Sequence, residues 1–409
     1  MKAILHIGIE KTGTTTIQAF LDLNREKLAN QGVAYLRSPG LRNNRKLATY
    51  CMDNNIIDGQ IRKLGIVSKI KRDQWKAKFK QEFDLEIQNL EPKISTVLIS
   101  SEQFHSRLRK LDEVKNLFKI LKPYFEDIKV LVYLRRQDKV AVSLCSTKCK
   151  VGSTNSEIFD EKLSAKNPYY NYYELVEKWT SVFGESNIII RIFEREKFIK
   201  SDLLQDFSDA IGLKNTESFH FPRYLNEKLS AQVQRVILLF NNYFPQLINN
   251  TSISFNNKLR SHLIQELNKK YKGNEMTPTI DQVMKFQQKF QESNKKLAIK
   301  YLSSDNLFSS DFSMYPNQGG IEAKNFSEEI VGDVFCSISK FLENFLVIPK
   351  SQINLDQAPG DILREIALGY ERDYPEISLF LMQEAYKYQP TNSLVLEKIN
   401  QLKSNYADK

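Results

Sequence analysis

The sequence predicts an α/β fold, a parallel sheet flanked by helices, followed by an all-helical C-terminal extension. Three observations carry this. Short β-rich apolar runs alternate with helical segments through the first half of the chain. Strand-like runs stop at about residue 226, beyond which helical periodicity dominates. The chain has 409 residues, more than one ordinary domain core of roughly 150 residues holds, so a large domain with a smaller companion is expected.

The first unit is a strand at residues 3–9 (AILHIGI), a Gly- and Thr-containing turn at 10–16, and a helix with Ile17, Phe20, Leu21 and Leu28 on one face. A basic, poorly periodic stretch covers about 39–80, and an amphipathic helix runs through 75–90. A second buried strand is expected at 95–101 (STVLISS), a helix at 111–125, a third strand at 128–134 (IKVLVYL), a helix at 172–183 and a fourth strand at 187–193 (NIIIRIF). Helical patterns follow at 230–241, 259–271 and 281–301. Residues 305–320, rich in Ser, Asp, Asn and Gly, read as a linker, which sets the expected domains at 1–315 and 316–409. In the tail, helical patterns at 361–374, 375–388 and 391–405 with the closing Pro390 look like one tetratricopeptide-like helix pair. Stable solenoids need about three such repeats. Leu379, Phe380, Met382 and Ala385 are therefore expected to pack on the main domain or on a second subunit, a route to a homo-oligomer.

Composition narrows the functional classes. Hydrophobic residues are 41% and charged residues 26%, with 25 Phe and 18 Tyr, so a globular core is expected and disorder is excluded. No apolar run approaches the ~20 residues of a membrane-spanning helix. Polar Glu10, Lys11 and Thr12 follow the first strand where a secretory signal would stay apolar, and the expected location is the cytoplasm. Cys51, Cys145, Cys149 and Cys336 are scattered and read as free thiols. Cys145 and Cys149 lack a second pair that would complete a zinc site. The net charge of +10 implies an anionic partner. With basic residues spread along the chain and no arginine-rich arm, nucleic acid is the weaker choice.

The chemically informative stretch is His6-Ile7-Gly8-Ile9-Glu10-Lys11-Thr12-Gly13-Thr14-Thr15-Thr16. A loop between a parallel strand and a helix N-terminus offers backbone N–H groups and the positive end of the helix dipole, which suits a phosphate-like oxyanion. Gly8 and Gly13 have the spacing of a Walker loop, but that loop requires Lys then Ser/Thr after the second Gly, and here Thr14-Thr15 follow. The lysine stands inside the loop, at Lys11.

This P-loop-like segment resembles the 5′-phosphosulfate-binding loop of sulfotransferases that use 3′-phosphoadenosine 5′-phosphosulfate (PAPS). HIGIEKTGTTTIQAFL is similar in particular to bacterial members whose products are sulfated saccharides or other small acceptors. The resemblance implies that Lys11, Thr12, Gly13, Thr14, Thr15 and Thr16 bind the donor nucleotide. It also implies that an Arg at a strand end and a Ser eight residues on hold its 3′-phosphate. Arg135 and Ser143 meet that spacing, with Arg136 an assistant or a solvated charge. Related enzymes place a Glu or His base where the second strand ends, at Glu102 (first choice) and His105 (second) in LISSEQFH. His6 reads as buried rather than catalytic. Arg223, before the helix at 230, is similar in place to a late segment that closes over the nucleotide. The likeness covers roughly residues 1–310 and leaves the tail out.

The expected reaction moves a sulfuryl group from PAPS to an acceptor hydroxyl, of a saccharide or glycan, leaving adenosine 3′,5′-bisphosphate. No metal is expected. The alternatives are a P-loop nucleoside or small-molecule kinase, against which the missing Lys after Gly13 speaks, and a non-catalytic nucleotide-binding adaptor.

Overall fold

The computed structural model describes residues 1–66, 68–214, 216–222, 228–248, 251–252, 254–318, 327–345, 364, 367–368, 371 and 375–407. The chain divides into two compact units, Met1–Asn325 and Phe326–Lys409.

The first unit is built on a five-stranded, wholly parallel sheet: β1 (Lys2–His6), β2 (Val33–Tyr35), β3 (Thr96–Ser100), β4 (Asp127–Leu134) and β5 (Ile188–Ile192) in the order β2-β3-β1-β4-β5. A parallel sheet has both faces covered, so its strands are apolar throughout while alternate residues enter different cores. Ala3, Leu5, Val97, Ile99, Val130 and Val132 join one core with Phe79, Phe83, Leu117 and Trp179. Ile4, Leu98, Leu131 and Tyr133 join the other with Ile17, Phe20, Leu21 and Phe207. Helices therefore pack on both sides, the α/β architecture the alternating runs predicted.

The first strand stops at His6, three residues before the expected end, because Gly8 turns the chain at φ +39°. The edge strand β2 escaped sequence analysis, since three residues between Gly32 and Leu36 are too few for a period to register. The unpatterned stretch 39–80 holds Arg45–Cys51, Gly59–Lys63 and the start of Lys69–Gln88. In the last of these, Arg72, Phe79, Phe83 and Ile87 are buried while Ile70 and Leu85 are exposed, which blurs the stripe in the sequence. The expected helix 281–301 is two, Ile280–Gln288 and Gln291–Leu302. A two-residue ribbon, Leu247–Ile248 with Thr251–Ser252, lies beyond the point where strands were expected to end.

The second unit contains the helices Glu328–Phe345, Pro375–Tyr388 and Ser393–Ala407. Most of the expected helix at 361–374 lies outside the described residues. Met382 and Ala385 are buried with Ala367, Val395, Ile399 and Leu402 in a small core of the unit's own, and Phe380 is exposed. The expectation that Leu379, Phe380, Met382 and Ala385 all need an outside surface is thus corrected: Met382 and Ala385 are covered in the core shared with the helix Ser393–Ala407, Leu379 packs partly buried against the same core, and only Phe380 of the four is exposed. Among the described residues no helix is long and apolar enough to cross a membrane. Cys51, Cys145 and Cys149 are buried free thiols, and Cys336 is an exposed one.

Candidate active site

The topology decides which side chains meet. β1 lies between β3 and β4, with His6 in register with Ser100 on one side and Leu131 on the other. The residues just past three adjacent strands, the loop 7–13, Glu102 and Arg135, therefore share one end of the sheet, where open α/β folds bind ligands. Their backbones interlock: Ser101 N–H donates to the His6 carbonyl at 3.0 Å, and Ile7 N–H to the Leu131 carbonyl at 3.0 Å.

Tight packing shapes the loop. A Cβ on Gly8 would lie 2.6 Å from Thr14 Cγ2 and 3.5 Å from Glu102 Cα, so the glycine lets the loop and the Glu102 backbone touch. Gly13, at φ +72°, precedes the helix Thr14–Leu23, and a Cβ there would sit 2.3 Å from Leu203 Cδ2. Thr12 is fully buried, its hydroxyl donating to the Ile9 carbonyl at 2.6 Å, so it fastens the loop from inside. Thr14 is buried and Thr15 exposed. Thr16 N–H turns back onto the Gly13 carbonyl at 2.9 Å, which removes it from the expected donors. The N–H groups of Gly13, Thr14 and Thr15 have no acceptor among the described residues. No acidic side chain stands in the first helical turn to answer the dipole.

Two cations flank these N–H groups. Lys11, in the left-handed region at φ +73°, reaches Thr147 Oγ1 at 2.5 Å. Burial is the largest influence lowering its pKa, with Lys150 and Arg135 adding to it and Glu10 and Glu102 opposing. Arg135 donates from Nη1 to the Lys11 carbonyl at 2.7 Å and lies 5.4 Å from the centre of the Phe193 ring. Burial also lowers its pKa, and no carboxylate among the described residues pairs with it. Arg136 differs. It is 1% exposed, donates to both oxygens of Asp138 at 2.8 and 3.0 Å and to the carbonyls of Ser309 and Asp311, and lies against Phe312. It is neither a solvated charge nor an assistant at the site, but an anchor for residues 309–312. Ser143 lies on the helix Gln137–Lys150, where its carbonyl accepts from Thr147 Oγ1 at 3.0 Å. Thr147 was missed by sequence reasoning, although its place one helical turn after Ser143 is a usable signal.

Glu102 stands at the opposite side of the loop, just before the helix Gln103–Arg107. Its carboxylate accepts from Asn43 Nδ2 at 2.7 and 2.9 Å and from Gln18 Nε2 at 3.0 Å. His105 is 3% exposed, not on the surface. Its Nε2 lies 3.1 Å from the Tyr169 carbonyl, its Nδ1 has no partner, and burial presses its pKa down to about 3. An imidazole so enclosed is ill placed to meet a diffusing acceptor. His6 is buried as well, with Nδ1 2.8 Å from Ser100 Oγ and a pKa driven by burial to about 3. Tyr169 donates from its phenol to Glu10 Oε2 at 2.6 Å, which closes one wall beside the loop. Arg223 lies outside the described residues. Among the described residues no group of three or more His, Cys, Asp or Glu side chains converges as a metal site.

The chain matches the family model of the sulfotransferase domain over residues 2–298. It is 26% identical over 262 residues to an uncharacterized protein of Archaeoglobus fulgidus, covering 63% of this chain and 68% of that one. No solved structure gives a significant match.

Proposed function

The chain belongs to the sulfotransferase domain family, and from that premise we propose that it transfers a sulfuryl group from PAPS to an acceptor hydroxyl, that of a saccharide or glycan. The observation that carries the donor assignment is the pairing of two half-buried cations, Lys11 and Arg135, beside N–H groups of Gly13, Thr14 and Thr15 that have no acceptor among the described residues. Half-buried positive charge held by neutral oxygens alone, Thr147 Oγ1 and the Lys11 carbonyl, favours an anion in the same place. PAPS suits it because it carries anionic groups at two places. By likeness to the family, Lys11 and the loop would hold the 5′-phosphosulfate, and Arg135 with Ser143 the 3′-phosphate.

The roles divide between the two sides of the loop. Glu102 takes the proton of the acceptor hydroxyl as the acceptor oxygen forms its bond to sulfur. The bond between sulfur and the bridging oxygen of the donor breaks, and its electron pair leaves with adenosine 3′,5′-bisphosphate. Lys11 and the loop N–H groups stabilise the charge that gathers on that bridging oxygen. Proton, sulfuryl group and electron pair are all accounted for without a redox partner. The saccharide assignment rests on the likeness of HIGIEKTGTTTIQAFL to saccharide-sulfating members.

The experiment is a mass-spectrometric screen of saccharides, lipids and peptides incubated with the protein and PAPS, searching for the mass increase of one sulfuryl group. A sulfated saccharide is the expected product. Sulfation confined to lipids or peptides removes the acceptor class, and phosphoryl transfer from ATP with no use of PAPS overturns the reaction.

A further inference from the structure

The site holds more order around Glu102 than a solvent-facing carboxylate requires. Asn43 donates to both carboxylate oxygens, and Gln18, itself buried, donates to one of them. Two oxygens offer about four lone-pair positions, so three bonds fix the group and leave room for one more donor. The orientation of the Asn43 amide is set too: Ser101 Oγ donates to its Oδ1 at 2.7 Å, which turns Nδ2 toward Glu102.

The backbone that carries Asn43 is fastened at several points. Asn44, fully buried, accepts from Ser100 N–H at 2.8 Å through Oδ1 and donates its own N–H to the Ser100 carbonyl at 2.9 Å. Its Nδ2 holds the Leu36 and Gly40 carbonyls at 3.1 and 2.9 Å. At the start of the same loop, the N–H groups of Arg37 and Ser38 donate to the two oxygens of Glu86 at 2.6 and 2.7 Å. Gly40, at φ +135°, would bring a Cβ 2.1 Å from the Asn43 carbonyl oxygen, so only glycine permits this turn. Loop 37–44 is thus tied to the end of β3, the strand that ends beside Glu102. Gln18 reaches the same carboxylate from the helix Thr14–Leu23, whose N-terminus is the donor loop.

We propose that Asn43 and Gln18 are positioning residues that aim the Glu102 carboxylate at the acceptor hydroxyl. The inference rests on the reading of Glu102 as the base. Neutral amides suit this role because they fix both oxygens without the full opposing charge that would most weaken the carboxylate's hold on a proton. Because Gln18 belongs to the donor helix, the base is also tied to the element that receives the nucleotide.

The test uses the full chain and follows release of inorganic sulfate from PAPS with water as the acceptor, so the readout does not wait on the acceptor's identity. Affinity for adenosine 3′,5′-bisphosphate is measured in parallel as a check on the fold. Asn43→Ala is expected to lower kcat by up to about 10²-fold, as misaimed groups do, with KM for PAPS and bisphosphate affinity unchanged; Gln18→Ala, losing one bond of three, lowers kcat less. Asn43→Asp places a second carboxylate against Glu102 and should move the acid limb of the pH–rate profile to higher pH, which a merely structural residue would not do. Should Asn43→Ala fail to fold, the isosteric Asn43→Asp decides. Normal kcat and an unmoved limb in the Asn43 variants, with Glu102→Gln inactive, overturns the positioning role and leaves the base in place. Normal turnover in Glu102→Gln overturns the base and the positioning role together.

Discussion

The donor side and the acceptor side of the candidate site are built by opposite means. On the donor side, Lys11 and Arg135 form no ion pair with a carboxylate among the described residues, and the N–H groups of Gly13, Thr14 and Thr15 have no acceptor there. On the acceptor side, Glu102 is held by amides at three hydrogen bonds. The first is an arrangement with a deficit that a bound anion makes good. The second is complete in the protein itself, as a group that must hold one geometry through a proton transfer should be. Binding energy belongs to one side and aim to the other, and each can be broken without the other.

The largest expected effect is on the acceptor side. Glu102→Gln should keep the affinity for adenosine 3′,5′-bisphosphate while lowering turnover about 10²–10⁴-fold. His105→Gln should change turnover far less, since the imidazole is enclosed beside Tyr169. Steady-state kinetics with PAPS and nucleotide titrations separate the two; the reverse ranking would give the proton to His105.

Two neighbouring arginines separate donor binding from the stability of the fold beside it. Arg136→Ala strips Asp138 of a buried partner and should cost about 3–5 kcal/mol of stability in denaturant unfolding. Arg135→Ala should leave stability nearer the parent and instead reduce the preference for adenosine 3′,5′-bisphosphate over AMP by about 1.5–3 kcal/mol, one charged hydrogen bond's worth. Equal affinity of the parent protein for both nucleotides would remove the 3′-phosphate from Arg135.

The same contrast explains what the sequence disclosed. The donor side is local: a strand, Lys11, Gly13 and a helix lie within one short segment, and Arg135 and Ser143 keep a fixed spacing on the next strand and helix. Such features survive in one dimension. The supports of Glu102 come from residues 18 and 43, and the second stands in a stretch whose irregular pattern hid three helices and a pinned loop. Nothing in the spacing of Asn43 and Glu102 announces their contact. Arg136 misled because, in sequence, a charge with a partner two residues away looks the same as one in water; burial against Phe312 and the carbonyls at 309 and 311 shows only in three dimensions. The parallel sheet was legible because apolar runs such as VLIS and VLVYL serve both faces at once.

Acid should weaken both sides together, because each has one buried neutral imidazole: His6 at the foot of the loop and His105 behind Glu102. Both are lowered from 6.5 to about 3 by burial. The unfolded chain takes up these protons first as pH falls below 6.5, so the folded state loses stability from 6.5 down to about 3 and loses none above it. The slope is about 1.4 kcal/mol per pH unit for each histidine. Urea unfolding followed by circular dichroism across that window should show the decline, and His105→Gln should make it shallower. A flat profile would mean that the imidazoles reach water.

The smallest expected effect concerns metal ions, and it tests whether the donor side's own charges suffice. A transferring sulfuryl group carries one negative charge where a terminal phosphoryl carries about two, the excess that magnesium offsets in nucleotide triphosphatases. The donor side supplies two cations, Lys11 and Arg135, and the end of a helix with no acidic residue in its first turn. The carboxylates that act on these two cations are otherwise engaged, Glu10 with the Tyr169 phenol, Glu102 with the amides, Glu275 with Lys228 and Asp138 with Arg136. A metal would have to displace those contacts to enter. Turnover of PAPS should therefore be the same in EDTA as in millimolar magnesium, and Lys11→Ala should not be rescued by the metal. A magnesium-dependent rise in the parent protein would show that Lys11 and Arg135 leave charge unmet, and the donor side would then have to be redrawn around a metal-bound phosphate.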